Sequence, residues 1–177
     1  MIHCIDDFCE DYQKELAYAE TSKYLEIASY GVFMKEMSLT RDSWATDKLS
    51  SILGTKLKRI VSYFRRYRKE RDEVTFIHSD QGVADISAVL SVSDQYNGRF
   101  RTWRHRQTGQ TFPEDISTLE KLHSDGLDSS NWEIIDDYEM KPNRIIVYPA
   151  KLFHSRWPKI WMHEWPRTIK VFFFNEQ

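Results

Sequence analysis

His78 and Asp80 stand two residues apart in Phe76-Ile77-His78-Ser79-Asp80, and a further imidazole, His154, follows the strand-like run Arg144-Ile145-Ile146-Val147-Tyr148-Pro149. Alternation along a β-strand sends residues i and i+2 to one face, so a single strand end can offer both His78 and Asp80 to one ion. A second strand end would deliver His154. Two neutral imidazoles and one carboxylate on an octahedral ion leave three positions open to outside ligands, and the carboxylate offsets part of the metal charge. His163 competes for the role of second imidazole, but Trp161-Met162-His163-Glu164-Trp165-Pro166 has loop character. His154, directly after a strand and a proline-containing bend, is preferred. His3, His105 and His123 have no ligand-like neighbours in sequence and are expected on the surface or in hydrogen bonds.

The order His78-x-Asp80, then His154, then Arg167 opening the apolar run Arg167-Thr168-Ile169-Lys170-Val171-Phe172-Phe173-Phe174 resembles the Fe(II)- and 2-oxoglutarate-dependent oxygenases, in the style of the small prolyl-hydroxylase-like members. The resemblance runs from about residue 63 to residue 175. Within it, residues 88–93 look like the strand after the His-x-Asp motif, residues 97–103 like the next one, and residues 140–144 like the turn before the strand that leads to the second histidine. It implies a mainly β protein with flanking helices: a double-stranded β-helix, or jelly roll, with the metal near its open end. It also implies Fe(II), the cosubstrate 2-oxoglutarate and O2, and a dioxygenase, most simply a hydroxylase. Such an enzyme couples decarboxylation of 2-oxoglutarate to succinate with oxidation of a C–H bond of a primary substrate.

On this resemblance His78, Asp80 and His154 are the metal ligands and Arg167 holds the distal carboxylate of 2-oxoglutarate. A planar guanidinium meets a carboxylate with two parallel hydrogen bonds, which lysine cannot reproduce. His163 lies too close to Arg167 for the family spacing, and Arg156 too close to His154 to be the clamp. Family members often place Ser or Thr two residues after the arginine, where this chain has Ile169, and Thr168 would point to the other face. Tyr63 or Tyr67, on the strand before His78, is then available as the missing hydroxyl, although tyrosine at such a position serves equally well in packing. Tyr96, Arg101, Trp103 and Trp157 are candidate substrate contacts, from strands and loops that follow the metal motifs.

The chain's 177 residues suit one domain, with a helical support at residues 1–56 and a jelly-roll core at 57–177. A hydrophobic share of 41% and an aromatic share of 14% fit a packed core rather than disorder. The net charge of −2 provides no overall positive field toward nucleic acid or an anionic membrane. No apolar run is long enough to span a bilayer and the N-terminus carries no signal-like pattern, so a cytoplasmic location is the default expectation. Cys4 and Cys9 match no zinc pattern and are expected as reduced thiols.

Helices are expected at residues 8–19, capped by Asp6 or Asp7, and at 43–53, stopped by Gly54, with both packed on the outer face of the larger sheet. A strand is expected at 57–68. Residues 108–131 read as a long insertion with a short helix at 116–122, placed where a substrate lid could sit. Lys56, Lys58, Arg59, Arg65, Arg66, Arg68, Lys69 and Arg71 interleave with Tyr63, Phe64 and Tyr67, a pattern that can face nucleic acid but is better explained as a solvated strand surface. Trp157, Trp161 and Trp165 fall in a segment broken by Pro158 and Pro166 and would cover the barrel mouth or form an aromatic wall. Two other readings compete with a hydroxylase: a cupin-like metal- or ligand-binding jelly roll without oxygenase activity, and an oxygenase directed at nucleic acid. A protein side chain, an amino acid or a metabolite is preferred as primary substrate.

Overall fold

Aromatic and β-branched residues dominate the chain's two longest strands, Leu57–Tyr67 and Arg167–Glu176, which pair antiparallel along nearly their whole length. The computed structural model describes residues 1–29, 32–40, 44–69 and 75–177. In chain order its elements are β1 (His3–Ile5), α1 (Tyr12–Thr21), β2 (Leu25–Ser29), β3 (Val32–Leu39), α2 (Trp44–Leu53), β4 (Leu57–Tyr67), β5 (Ile86–Ser91), β6 (Arg99–His105), α3 (Ile116–Asp125), β7 (Trp132–Glu139), β8 (Ile145–Pro149), β9 (His154–Trp157) and β10 (Arg167–Glu176). A major sheet of order β1-β8-β5-β10-β4-β3-β2 faces a minor sheet of order β7-β6-β9, and the strands pair antiparallel throughout. This is the expected jelly roll.

Strand alternation sorts the major sheet into two cores. On its outer face Phe64, Leu90, Val147, Phe172 and Phe174 pack with Phe8, Ala19, Ala45 and Leu49 from the helical layer. On its inner face Tyr63, Tyr67, Val89, Ile146, Tyr148, Ile169 and Val171 meet Phe100 of the minor sheet. A third cluster of Phe76, Ile77, Trp103, Leu122, Trp132 and Phe153 joins the far side of the minor sheet to α3.

Several expected boundaries move. The first 56 residues are not a purely helical support, because β1, β2 and β3 all join the major sheet. The first helix starts at Tyr12, since Asp6 is drawn into a bidentate pair with Arg144 (2.5 and 2.8 Å) and Asp7 takes a positive φ of 51°. Ser43 lies outside the described residues, and from Trp44 on α2 follows expectation to Leu53, with Gly54 at φ 67° ending it. The strand expected at 97–103 runs two residues later because Asn97-Gly98 forms the turn before it. The helix in the 108–131 insertion extends to Asp125, and Leu122 is buried against the Phe76–Ile77 stretch. That stretch is tied down further by Ile77 N–H donating to Gly126 O (3.0 Å), so α3 forms a packed wall beneath the His78 segment. Cys4 and Cys9 are both free thiols. Among the described residues no helix is long and apolar enough to cross a membrane.

Candidate metal centre

His78 and His154 face each other across a single antiparallel bridge and exchange both backbone hydrogen bonds (3.1 and 2.8 Å). Directly opposed residues point to one face, and the imidazole centroids are 4.4 Å apart. The expected strand end at His78–Asp80 is in fact this one bridge followed by a turn. Hydrogen bonds from other segments hold it instead: Asp80 N–H donates to Ala150 O (2.9 Å), Ser79 Oγ to Lys151 O (2.8 Å), and Ser79 N–H to His123 Nε2 (3.1 Å). His123 thereby takes a hydrogen-bonding role, as the sequence led us to expect.

The donor atoms converge. His78, Asp80 and His154 each offer one ligand atom, and all three atoms lie within 4.8 Å of one another. His78 Nε2 is 3.7 Å from Asp80 Oδ1 and His154 Nε2 is 3.4 Å from Asp80 Oδ2. Bonds of about 2.1 Å meeting at right angles would put neighbouring donors about 3 Å apart, so the three side chains would draw together on binding an ion. Both tautomers are fixed from behind: Nδ1 of His78 donates to Phe76 O (3.0 Å) and Nδ1 of His154 to Leu152 O (2.8 Å), since a carbonyl can only accept. Each Nε2 lone pair therefore points into the site. Burial, helped by the neighbouring His154, lowers the His78 pKa to about 4, which keeps that imidazole neutral and ligand-ready near pH 7.

Arg167 is buried at the head of β10, directly opposite Tyr67 of β4. Its Nε donates to Asn97 O (2.8 Å) and its guanidinium carbon lies 5.1 Å from the Tyr67 ring centroid, while its buried Nη1 has no hydrogen-bond partner. Burial lowers its pKa to about 10, still well protonated at neutral pH. Tyr63 lies on the same inner face as Tyr67, and burial pushes its phenol up, so it stays a neutral hydroxyl.

Other residues, beyond those expected from the sequence, take part in the site. Asn97 is fully buried; its Nδ2 donates to Ser91 Oγ (2.8 Å) and Thr168 O (2.7 Å) while its carbonyl receives Arg167. Next to it, Gly98 has φ 77°, and a Cβ there would fall 2.5 Å from Trp157 O and 3.2 Å from Arg167 Nε. The Asn-Gly pair is a turn signal readable in sequence, but the arginine it grips is not. Phe100 stacks on His154 (5.7 Å, 22°), and Tyr148 lies 4.7 Å from the same ring.

Three of the four proposed substrate contacts are turned away. In β9, His154 and Arg156 face inward and pair with Thr102 and Phe100, so Ser155 and Trp157 face outward with Arg101. Trp103, reached through a bulge after Thr102, donates its indole N–H to Ser155 Oγ (2.9 Å), and Arg101 stacks on Trp157 (4.1 Å). Arg101, Trp103 and Trp157 thus belong to the outer side of the minor sheet. Tyr96 sits in the loop before β6, stacked on Trp161 (6.0 Å, 11°) close to the Arg167 end. His163 packs among Tyr96, Trp161 and Trp165, away from the histidine pair. Part of the basic stretch is engaged locally: Arg66 donates to Ala19 O (2.9 Å), Arg68 pairs with Glu36 (2.6 Å) and Lys69 with Glu164 (2.5 Å), while Arg71 lies outside the described residues.

No protein-family model and no curated protein sequence matches the chain. Solved structures do. HygX from Streptomyces hygroscopicus, with nickel and 2-oxoglutarate bound, superposes with a TM-score of 0.63 at 14% identity, over 98% of this chain and 82% of that one. The non-haem α-ketoglutarate-dependent epimerase SnoN from nogalamycin biosynthesis gives 0.61 at 12% identity, over 97% and 78%. The carbocyclase SnoK from the same biosynthesis, also α-ketoglutarate-dependent, gives 0.58 at 10% identity, over 98% and 78%. At these identities the likeness is one of fold, and the chain is built on the jelly roll of these 2-oxoglutarate-binding, non-haem metal proteins.

Proposed function

We propose that the protein is an Fe(II)- and 2-oxoglutarate-dependent dioxygenase. The observation that carries this is the convergence of three donors, two imidazole Nε2 atoms and one carboxylate, with both imidazoles aimed from behind by hydrogen bonds to backbone carbonyls. This donor set suits an octahedral Fe(II) and leaves three adjacent positions open. His78, Asp80 and His154 would hold the metal. Arg167, whose buried Nη1 has a donor to spare, would receive the distal carboxylate of 2-oxoglutarate, with the Tyr67 and Tyr63 hydroxyls lining the same face. Bound there, the metal with its cosubstrate would supply O2 activation, the chemistry that couples decarboxylation of 2-oxoglutarate to succinate with oxidation of a C–H bond. The residues of the chain orient the cosubstrate and keep water out, the latter through the apolar Phe100, Val89, Ile169 and Val171 around it.

Hydroxylation is the simplest outcome of that chemistry and the one we propose. A small molecule is favoured as primary substrate: Arg66, Arg68 and Lys69 of the basic stretch are engaged locally, and related folds have been solved with hygromycin B in HygX and nogalamycin RO in SnoN. The test is to add Fe(II) anaerobically to metal-free protein, then 2-oxoglutarate, and to record the visible spectrum. A weak charge-transfer band that needs both additions and disappears in Arg167→Ala is expected. Iron binding without a band would favour the cupin-like metal-binding protein instead.

A further inference from the structure

Asn97 is a polar side chain with no solvent exposure, set between the end of β5 and the head of β10. Its Nδ2 donates to Thr168 O (2.7 Å) and to Ser91 Oγ (2.8 Å). A carbonyl can only accept, so the amide is oriented with its NH2 toward β10. Ser91 Oγ carries the link on by donating to Met140 O (3.2 Å), and Met140 N–H donates back to Gly98 O (2.9 Å). The Asn97-Gly98 turn is thus fastened to β5, to β10 and to the residue after β7. What it presents is the carbonyl of Asn97, which accepts Arg167 Nε at 2.8 Å. Glycine at 98 lets the main chain come so close, since a Cβ there would lie 3.2 Å from the same Nε.

Building on the oxygenase reading, we propose that Asn97 is a positioning residue for the cosubstrate. By seating its own carbonyl on Nε it turns the Nη1 and Nη2 end of Arg167 toward the distal carboxylate of 2-oxoglutarate, so that the acid is held end-on. A guanidinium can meet a carboxylate with two parallel hydrogen bonds along either of two edges, Nε with Nη2 or Nη1 with Nη2. Nε is spent on Asn97 O, which closes the first edge. The second contains Nη1, the buried donor that has no partner. The Tyr67 ring, with its centroid 5.1 Å from the guanidinium carbon, packs against the same group and limits its rotation. Asn97 also holds the strand at the root of the side chain, because Thr168 O belongs to the residue next to Arg167. One buried amide therefore fixes both the backbone and the head of the arginine that receives the cosubstrate.

The experiment is an anaerobic titration of the Fe(II)-loaded protein, followed by the visible charge-transfer band, with 2-oxoglutarate and with pyruvate, which has the oxo-acid end but no distal carboxylate. Asn97→Ala removes the amide and leaves Arg167 in place. It is expected to weaken 2-oxoglutarate about 10-fold, the scale of one hydrogen bond to a charged group, while pyruvate stays within about threefold. In an Arg167→Met background the same change should make no further difference to 2-oxoglutarate, because Asn97 acts only through the arginine. Ser91→Ala takes away one of the two acceptors of the Asn97 amide and should weaken 2-oxoglutarate about threefold with the same selectivity. It is the gentler change, and the same outcomes are read from it where Asn97→Ala does not fold. Unchanged 2-oxoglutarate affinity in Asn97→Ala would overturn the proposal. So would equal losses for both acids, or a loss that persists in Arg167→Met, either of which would make Asn97 a packing residue of its turn. Wild-type protein that binds Fe(II) but neither acid would refute the oxygenase reading itself, a result distinct from any difference between variants.

Discussion

Strand β10 buries two cations three residues apart and treats them in opposite ways. Lys170 points to the helical side, wholly buried, with Glu15 at 2.5 Å and the rings of Tyr18, Trp44, Phe64 and Phe172 within 5.7 Å of its ammonium. Arg167 points between the sheets, with one donor on Asn97 O and Nη1 lacking a partner. A buried charge normally persists only when paired. The closed pair on one face therefore reads as architecture and the open donor on the other as a place for a ligand. The same contrast separates the two ends of each imidazole in the metal centre, where Nδ1 is satisfied and Nε2 is not.

The widest expected gap between the two faces comes from opening the closed pair. Glu15→Ala removes the carboxylate that faces the buried Lys170 ammonium and should cost about 3–5 kcal/mol in urea denaturation, with the affinity of the metal-loaded protein for 2-oxoglutarate unchanged. Arg167→Met should do the reverse, weakening 2-oxoglutarate by about 10- to 100-fold while leaving stability close to that of the wild type. If Arg167→Met destabilises the protein as much as Glu15→Ala does, both cations are structural and the contrast collapses.

How much of this could be read in advance differs between the faces for a physical reason. The cluster of His78, Asp80 and His154 is legible because His-x-Asp, an apolar strand and a histidine just after it are local patterns, and the fold came with them. The closed pair is not, since Glu15 and Lys170 are joined only by the docking of α1 on β10, 155 residues away in sequence. Arg65 was seen as part of a basic run, and only the β4–β10 register separates it from Arg66, which faces the helices. Arg101, Trp103 and Trp157 were misplaced for a related reason. Which face of the minor sheet they occupy depends on the pairing of β6 with β9 and on the bulge after Thr102, neither of which composition reveals. Of the strands within 1–56, the edge strand His3–Ile5 carries too few residues for a periodicity, and Val32–Leu39, though eight residues long, does not alternate apolar with polar residues.

Acid should sharpen the comparison by striking the histidine–carboxylate cluster. The folded-state pKa of His78 is about 4, below its ordinary 6.5. Between those values the unfolded chain binds a proton that the folded chain refuses, so stability is fully present above pH 6.5 and is lost as pH falls toward 4. Linkage puts the loss between pH 7 and pH 5 at about 2 kcal/mol. Denaturation of the metal-free protein at the two pH values should show that excess in the wild type and not in His78→Gln. Equal losses in both proteins would mean that His78 is not the group responsible.

The smallest effect tests the outward assignment on the minor sheet. Ser155 follows His154 by one residue yet serves the opposite face, where its buried Oγ accepts the Trp103 indole N–H at 2.9 Å. Ser155→Ala removes that acceptor and leaves a buried donor unsatisfied, for a loss of about 1–2 kcal/mol. Because the alternation of β9 turns the two side chains apart, Fe(II) and 2-oxoglutarate affinities should not follow the stability. If they fall together with it, the faces are coupled through the β9 backbone, and the minor sheet would act on the metal centre as a flexible support rather than a rigid one.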